Sequence, residues 1–335
     1  MVSQLVRVTP GEDPGLRRIR AGSGFRYVDP SGHTAGPEDR ERIAELVIPP
    51  AWEDVWIAAD PDGHIQAVGT DAAGRRQYLY HQRWRARRDR GKFARALQLA
   101  AALPGARRRV TADLRGDDLS RERVLATSFR LLDTAAPRIG SARYLEKHGS
   151  RGLTTLQRRD ASVEASVVTL SFPGKSGKRA LIHIDDPDLA AAIGELNHGR
   201  ARAPLLAYRR AQRRVALQPG EVNDNVRALT GGAFTAKDFR TLRGTILAAE
   251  ALAHIGLVDS VKEQRRAERL AVVATAEALG NTPAVARSSY IDPRVFTRFA
   301  RGELLDLTIA PESAIRALLG GESRRKGRKG RNATR

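Results

Sequence analysis

The chain has no cysteine among its 335 residues, so disulfide bonds and thiolate metal sites are excluded. Its seven histidines include no H-x-x-x-H pair, and a zinc site is therefore not expected. No stretch is long and apolar enough to span a bilayer. The first residues, MVSQLVRVTPGEDPGLRRIR, lack the apolar core of a signal peptide. These absences lead us to expect a cytoplasmic protein with no membrane segment and no bound metal.

Acidic residues are scarce relative to basic ones. The chain carries 38 Asp and Glu against 58 Lys and Arg, a net charge of +20. Most of the basic residues are arginines, whose planar guanidinium binds phosphate with two hydrogen bonds. This balance indicates an anionic polymer as partner, usually nucleic acid. A high-GC genome, which favours Arg and Ala, would produce a similar composition, and composition alone does not separate the two explanations.

The first 82 residues are predicted to be rich in β-strands, with one helix. Short alternating runs, VWIAAD and HIQAVGTD, flank a turn at Asp62-Gly63 and predict a hairpin. RRQYLYH predicts a third strand of the same meander. The spacing of Ile43, Leu46 and Val47 predicts a helix over GPEDRERIAELV.

Residues 83–109 hold ten basic residues and only one acidic residue, Asp89. This one-sided charge indicates a phosphate-tracking surface rather than an ordinary solvated helix face. We place a domain boundary here and predict an N-terminal domain over residues 1–90 and a larger domain over 91–320. Residues 321–335, GESRRKGRKGRNATR, have no apolar face and predict a basic, disordered tail.

The chain after about residue 110 is predicted to be mainly helical. Helix signals include Ser120 as an N-cap, Thr235 as an N-cap with Gly256 closing the same helix, and Gly280 closing the next. One β interruption stands out: SVVTLSF and RALIHID flank PGKSGK, which places Lys175 at the tip of a hairpin.

Gly174, Lys175 and Ser176 spell the end of a P-loop. A P-loop needs G-x-x-x-x-G-K-[ST] between a strand and a helix. Thr169 stands where the first glycine is required, and a strand pattern follows the lysine. An ATP cradle is therefore not predicted, and a hairpin turn with an exposed lysine is the ordinary alternative.

Three further strings follow a fixed order around this hairpin. RIGSARYLEKHGSRGLTTL begins with Arg138, TAKDFRTLRGT contains Arg240, and GNTPAVARSSYIDP contains Asn281 and Tyr290. Together with FPGK at Lys175, they resemble the type IB DNA topoisomerases, in particular the small poxvirus-like and bacterial form. The resemblance extends from the N-terminal sheet to about residue 320. Each residue alone has an ordinary explanation, but five motifs in the family's order and with matching spacing are a strong signal.

The resemblance implies an α+β fold, with a small N-terminal antiparallel β-sheet domain and a larger, mainly α-helical catalytic domain. The catalytic domain would be of the topoisomerase IB and tyrosine recombinase type, with a small β-hairpin. It also implies that Tyr290 attacks a DNA phosphodiester and forms a 3′-phosphotyrosyl intermediate. The broken strand would rotate about the intact one before the 5′-hydroxyl reverses the reaction. Neither ATP, a metal nor another cofactor is implied, and the partner is double-stranded DNA.

The residue types suit this chemistry. Arg138 and Arg240 can hold the non-bridging phosphate oxygens bidentately, and Asn281 can donate a hydrogen bond to one of them. Tyr290, with an unperturbed pKa of about 10, needs nearby cations to ease loss of its proton. In the family, the lysine that matches Lys175 protonates the leaving 5′-oxygen.

Further DNA contacts are predicted in the N-terminal domain. Gln77, Tyr78 and Tyr80 match a DNA-contacting strand of the family, and such side chains can reach sugars or base edges. An ordinary strand with alternating exposed tyrosines is the alternative. With contacts from both domains, we expect a monomer that clamps duplex DNA with strongly salt-dependent affinity, associated with the nucleoid.

Three more DNA-contacting residues are predicted in the catalytic domain, and one of them, Lys237, would lie near the scissile phosphate. Arg143 and Tyr144 are placed on the same helix as Arg138 and would extend its phosphate contacts. Lys237 precedes Arg240 by nearly one turn, shares its helix face and would add a second cation.

Two positions depart from the family pattern. Ser141 stands where the poxvirus enzymes carry a base-contacting lysine, which argues against a strict pentapyrimidine cleavage site. Asn281 stands where many relatives have histidine, and an amide that cannot be protonated predicts little pH dependence from this group.

Two other functions stay open on the sequence. A tyrosine recombinase shares the chemistry, but it usually has H-x-x-R where this chain has Lys237-x-x-Arg240, and its N-terminal domain is helical. A non-enzymatic, basic nucleoid protein would explain the charge but not the ordered motifs.

Overall fold

Five strands form one antiparallel sheet in the N-terminal part of the computed structural model, which describes residues 4–116 and 118–328. They are β1 (Gly15–Ala21), β2 (Gly24–Val28), β3 (Glu53–Ala58), β4 (Ile65–Thr70) and β5 (Arg76–Tyr80). Their order across the sheet is β2-β1-β3-β4-β5. The predicted hairpin is the β3–β4 pair and the predicted third strand is β5, so this meander is confirmed.

One helix, α1 (Pro37–Glu45), lies between β2 and β3. Ile43 on this helix is 2% exposed and belongs to one apolar cluster with Leu16 and Ile57 of the sheet. The sequence predicted that the helix would include Val47, but the helix stops before it, and Val47 has a φ of +47°. Prolines at positions 49 and 50 account for the early end, because a residue that precedes proline disfavours the α conformation.

A long helix, α2 (Gln82–Leu114), carries the basic segment of residues 83–109. The chain divides after Gly91, inside this helix, into two compact units. Buried side chains recur every three or four residues along the later part of the helix, the pattern of an amphipathic helix. They are Phe93, Ala96, Leu99, Ala100, Leu103, Ala106, Val110 and Leu114.

The second unit is mainly helical, which confirms the predicted α+β class. After α2 its helices are α3 (Arg121–Ala135), α4 (Ala142–His148), α5 (Pro187–Leu196), α6 (Pro219–Thr230), α7 (Ala236–Ile255), α8 (Val261–Ala278), α9 (Pro283–Ser289), α10 (Arg294–Phe299) and α11 (Pro311–Arg328). Its strands are β6 (Ala161–Glu164), β7 (Val167–Pro173), β8 (Arg179–Asp185), β9 (Ala207–Arg210) and β10 (Arg213–Ala216). They form a three-stranded sheet, β6-β7-β8, and a two-stranded sheet, β9-β10.

The predicted helix ends agree with the structure. Ser120 accepts a hydrogen bond from the third helical residue of α3 and caps that helix. Thr235 begins α7 in a capping box, and Gly256 ends it. Helix α8 ends two residues before Gly280, which adopts a φ of +58°.

Helices α3 and α7 meet in the core of this unit. The rings of Phe129 on α3 and Phe239 on α7 pack edge to face, with centroids 5.3 Å apart. Leu131 and Leu132 near the end of α3 are fully buried. This packing places the C-terminal end of α3 beside the first turns of α7, where the candidate site lies.

The last described helix, α11, continues through Arg328. The sequence predicted disorder from residue 321, whereas the structure extends the helix over eight of those residues. Once a helix is nucleated by packing, each added residue costs little, so helix structure can extend into a polar segment. The rest of the predicted tail, residues 329–335, lies outside the described residues.

Within the described ranges, no helix is long and apolar enough to cross a membrane. In the same residues, no three His, Asp or Glu side chains are grouped so as to hold a metal ion.

Candidate active site

Arg138 lies in the loop between α3 and α4. The prediction that it shares a helix with Arg143 and Tyr144 is wrong. Gly140 has a φ of +81°, which breaks a right-handed helix. Ser141 then accepts a hydrogen bond from the backbone N–H of Tyr144 and caps α4. Arg138 is therefore presented by an extended loop, which lets its side chain cross to another part of the site.

A close backbone contact holds the Arg138 loop. A Cβ atom at Gly152 would lie 2.5 Å from the carbonyl oxygen of Arg138 and 2.6 Å from the backbone nitrogen of Gly140. The next residue, Leu153, donates its N–H to the same Arg138 carbonyl at 2.8 Å. The R-I-G and G-L-x-T-L motifs are thus two sides of one contact, and this contact requires glycine at position 152.

Arg240 on α7 is 5% exposed. Its Nη1 donates to the carbonyl of Ala136 at 2.7 Å, and its Nη2 donates to the carbonyl of Leu279 at 2.8 Å. These two residues are the C-caps of α3 and α8, so the guanidinium sits at the partially negative ends of two helices. Its Nε is buried with no hydrogen-bond partner among the described residues and remains free to donate.

Arg138 and Asn281 form the second part of the site. Nη2 of Arg138 donates to the carbonyl of Gly280 at 2.8 Å and to Oδ1 of Asn281. Because arginine can only donate, it fixes the amide of Asn281 with its oxygen towards Arg138 and its NH₂ group away from it. That NH₂ nitrogen is buried and has no partner in the part of the chain that the structure describes.

Tyr290 follows directly after α9 and is half-buried. Its ring lies 4.9 Å from the guanidinium carbon of Arg240, a cation–π distance. Burial by itself would raise the pKa of Tyr290. A side-chain hydrogen bond with Arg240 and the positive charges of Arg240, Arg138 and Lys237 outweigh burial and lower this pKa below its ordinary value. The site therefore eases loss of the phenolic proton of Tyr290 relative to an ordinary tyrosine.

The backbone of Tyr290 rests on α7. A Cβ atom at Gly244 would lie 2.9 Å from both the Cβ and the carbonyl oxygen of Tyr290. The buried hydroxyl of Thr245 shares its hydrogen bond between the carbonyls of Thr241, at 2.9 Å, and Tyr290, at 3.1 Å. The same hydroxyl accepts the N–H of Asp292 at 3.1 Å. Tyr290 is thus seated on the helix that also carries Arg240.

Lys237 is exposed on the first turn of α7. Its neighbour Asp238 is 1% exposed, caps the helix through Thr235 and accepts a hydrogen bond from Nε of Arg95 at 2.7 Å. The ion pair with Arg95 balances the negative charge of Asp238.

The structure does not bring Lys175 to the other candidate residues. Its side chain is exposed in a short turn between β7 and β8, and among the described residues it makes no hydrogen bond or ion pair. This confirms the predicted hairpin tip. The base of the hairpin is anchored near the Arg138 loop, because Arg151 donates its N–H to the carbonyl of Pro173 at 2.8 Å.

The predicted contact residues of the N-terminal unit lie on β5. The rings of Tyr78 and Tyr80 stack with centroids 6.0 Å apart, and the guanidinium of Arg88 lies 5.7 Å from the Tyr80 ring. The amide nitrogen of Gln77 donates to Asp71 at 2.8 Å, and its amide oxygen has no hydrogen-bond partner among the described residues.

The two residues predicted on α4 are exposed. Tyr144 is 54% exposed, and its ring lies 5.9 Å from that of His148. Arg143 makes no ion pair with any residue that the structure describes. Both side chains remain able to contact a ligand.

Three residues of this site were not predicted from the sequence. Gly244 could have been noticed in the sequence, because glycine inside a helix costs about 1 kcal/mol relative to alanine. Its presence there indicates that a neighbouring group packs closely against the helix. Nothing in the sequence indicated Thr245 or Arg95, since their partners lie 45 and 143 residues away along the chain.

Replacing Gly244 by alanine is expected to slow, about tenfold or more, the DNA cleavage that the family resemblance implies for Tyr290. The added methyl group would displace the Tyr290 backbone, and small misplacements of reacting groups are costly. Gly194→Ala in α5 is the matched control, because a Cβ there meets nothing within 4 Å. It is expected to leave the rate unchanged and to stabilise the fold by about 0.5–1 kcal/mol. Single-turnover cleavage and urea denaturation measure both effects, and equal rates for the two variants would contradict the proposed seat.

Comparison with known proteins supports one family. Residues 81–299 match the family model for the catalytic core of eukaryotic DNA topoisomerase I, and residues 24–71 match that for the N-terminal domain of bacterial DNA topoisomerase IB. The chain is also similar to DNA topoisomerase 1B of Acanthamoeba polyphaga mimivirus. The two are 27% identical over 285 residues, which cover 83% of this chain and 85% of the viral protein. The catalytic-core match spans more than half of the chain and includes all five candidate catalytic residues, and the chain therefore belongs to the type IB DNA topoisomerase family.

Proposed function

We propose that the chain relaxes supercoiled double-stranded DNA by cutting one strand with Tyr290, without ATP or a metal ion. The observation that supports this most directly is a pair of buried donors, Nε of Arg240 and Nδ2 of Asn281, that have no hydrogen-bond partner among the described residues. A buried donor without an acceptor costs about 1–3 kcal/mol. Beside a tyrosine with a lowered pKa, both donors suit the non-bridging oxygens of a phosphodiester.

The proposed cleavage step exchanges one phosphoester for another. The Tyr290 oxygen forms a bond to phosphorus, and the bond from phosphorus to the 5′-oxygen breaks. The products are a 3′-phosphotyrosyl linkage and a 5′-hydroxyl. Because one phosphodiester replaces another, the reaction needs no ATP. Arg138, Arg240 and Lys237 stabilise the negative charge that develops on the phosphate.

The cleavage step needs a proton donor, and we assign this role to Lys175. Tyr290 loses its proton as it attacks, and the leaving 5′-oxygen must gain one. We propose that the exposed Lys175 ammonium donates it once the hairpin tip closes on bound DNA. Gly177, with a φ of +75°, gives the tip the backbone freedom for this movement. Religation is the reverse: the 5′-hydroxyl attacks, its proton returns to Lys175, and Tyr290 leaves.

Surface residues of both units are proposed to contact the duplex away from the scissile phosphate. Tyr78 and Tyr80 offer rings and hydroxyls, and Gln77 offers its free amide oxygen. Arg143 offers an unpaired guanidinium, and Tyr144 an exposed ring.

Wild-type protein is expected to relax negatively supercoiled plasmid in buffer with EDTA and no ATP. Agarose-gel electrophoresis over a range of salt concentrations measures this, since binding to phosphates weakens steeply with salt. Relaxation of plasmids without paired recombination sites would distinguish the proposed activity from that of a tyrosine recombinase. Plasmid that is bound but stays supercoiled at every salt concentration would contradict the proposed function.

A further inference from the structure

The β9–β10 hairpin concentrates positive charge in an unfavourable way. Arg210 pairs with Arg213 across the two strands, and Arg209 pairs with Arg214. All four side chains are exposed. Directly paired residues share a face of the sheet, so each face carries two arginines side by side. Like charges in such positions destabilise a hairpin; we call these four residues the arginine hairpin.

No direct ion pair among the described residues relieves this repulsion, although Arg209 and Arg210 line an open cavity with Asp118, Glu122 and Glu221. The segment of residues 198–216 contains six arginines and neither Asp nor Glu. Among the described residues, no carboxylate forms an ion pair with the arginine hairpin, and its one side-chain hydrogen bond joins Arg214 to the carbonyl of Leu196 at 3.4 Å. Elsewhere in the same unit arginines are paired, as Arg107 is with Asp133 and Arg130 with Asp186.

A further cation lies next to the arginine hairpin. Arg158 is 8% exposed, and its Nε has no hydrogen-bond partner in the described structure. Burial and the positive charge of Arg214 both lower the pKa of Arg158. The backbone leaves space for this side chain, because a Cβ at Gly199 would lie 2.5 Å from its Nη1. Arg158 and the arginine hairpin together have the features of a binding site for an external anion.

The arginine hairpin is distant from the scissile-phosphate site. The N–H of Arg209 donates to the carbonyl of Leu119 at 2.9 Å, just before the start of α3. The carbonyl of Ala136, at the other end of α3, holds Arg240. Helix α3 has 15 residues, so its two ends, next to these anchoring points, are about 22 Å apart. One phosphate cannot reach both.

We propose that the arginine hairpin binds the phosphodiester backbone of the substrate duplex on one arm, about six or seven base pairs from the cleaved bond. This inference rests on the proposed function, because that function puts duplex DNA at the other end of α3. A B-form duplex advances 3.4 Å per base pair, so about 22 Å corresponds to that spacing. Successive phosphates also supply several negative charges in a row, which a hairpin with four arginines requires.

The test uses duplexes that carry one 5′-bridging phosphorothiolate, which fixes where the protein cleaves, with arms of four to twelve base pairs. The variant replaces Arg209, Arg210, Arg213 and Arg214 by glutamine, and cleavage is measured against protein concentration. Wild-type affinity is expected to rise once one arm exceeds about seven base pairs, and the variant should lack this rise. The rate at saturation should be equal for both.

Salt dependence gives a second readout. On the longest duplex, the slope of log K against log salt should fall by about three to four in the variant. Between 50 and 200 mM salt, wild-type protein would therefore lose about a hundredfold more affinity than the variant. The charge-matched control replaces four exposed basic residues of α8 by glutamine, and its arm-length dependence should stay as in wild type. These residues are Lys262, Arg265, Arg266 and Arg269.

The outcomes separate the two proposals. If wild-type protein cleaves none of the duplexes, the proposed function fails. If wild-type protein cleaves and the variant shows the same arm-length dependence and salt slope, the arginine hairpin does not bind the substrate duplex. If the variant behaves as wild type on single duplexes but no longer holds two separate duplexes together, the assignment to one arm of the substrate is wrong.

Discussion

Protein with Tyr290 replaced by phenylalanine is expected to bind plasmid DNA as wild type does and to relax none of it. The phenolic oxygen is the proposed nucleophile, and phenylalanine has no atom that can replace it. The expected loss is complete, the largest of any substitution in this chain. Gel assays for relaxation and denaturation with detergent to trap the covalent adduct measure the loss directly.

Phenylalanine should leave the site otherwise intact. Its ring can keep the cation–π contact that Tyr290 makes with Arg240 at 4.9 Å, and the backbone seat on Gly244 and Thr245 does not involve the hydroxyl. Lost relaxation in this variant would therefore report chemistry rather than unfolding.

Tyr208→Phe is the matched control, because Tyr208 is buried in β9 and, among the described residues, its hydroxyl contacts Glu221 at 3.5 Å and Arg121, neither of which belongs to the candidate site. It is expected to relax plasmid at the wild-type rate. A covalent protein–DNA adduct that persists after Tyr290→Phe would mean that another residue is the nucleophile.

Lys175→Ala is expected to slow cleavage of ordinary DNA by about 10²–10⁴, the usual contribution of a general acid. On a duplex with a 5′-bridging phosphorothiolate, the leaving thiolate needs no proton, so the variant should cleave at nearly the wild-type rate. Comparing single-turnover rates on the two substrates isolates proton donation from binding and folding.

The hairpin offers a control for this experiment. Lys178 lies three residues from Lys175, where its carbonyl accepts the N–H of Gly174 at 2.7 Å. That bond uses only the backbone, so Lys178→Ala should keep the hairpin and the wild-type rate on both substrates. If Lys175→Ala is equally slow on both substrates, it is not the general acid. Rescue of Lys237→Ala instead would assign the proton to Lys237.

Some elements were predictable because their signals are local. Alternating strands around Asp62-Gly63, the Ser120 cap and the glycine that ends α7 depend on neighbours a few residues away, and the structure confirms each. Two errors have local causes as well. The end of α1 before Val47 follows from the two prolines after it, and the loop at Arg138 follows from Gly140 in a left-handed conformation.

The sequence by itself determined the family and the identity of the candidate catalytic residues, because ordered motifs carry that information without coordinates. Only the tertiary structure decided how those residues are held. Arg240 is held by the ends of two helices, one of which lies more than a hundred residues away along the chain. Asn281 is oriented by Arg138. The seat of Tyr290 and the unpaired arginine hairpin likewise depend on contacts between distant segments. Such contacts leave no periodic or spacing signal in a single sequence, and so folding alone reveals them.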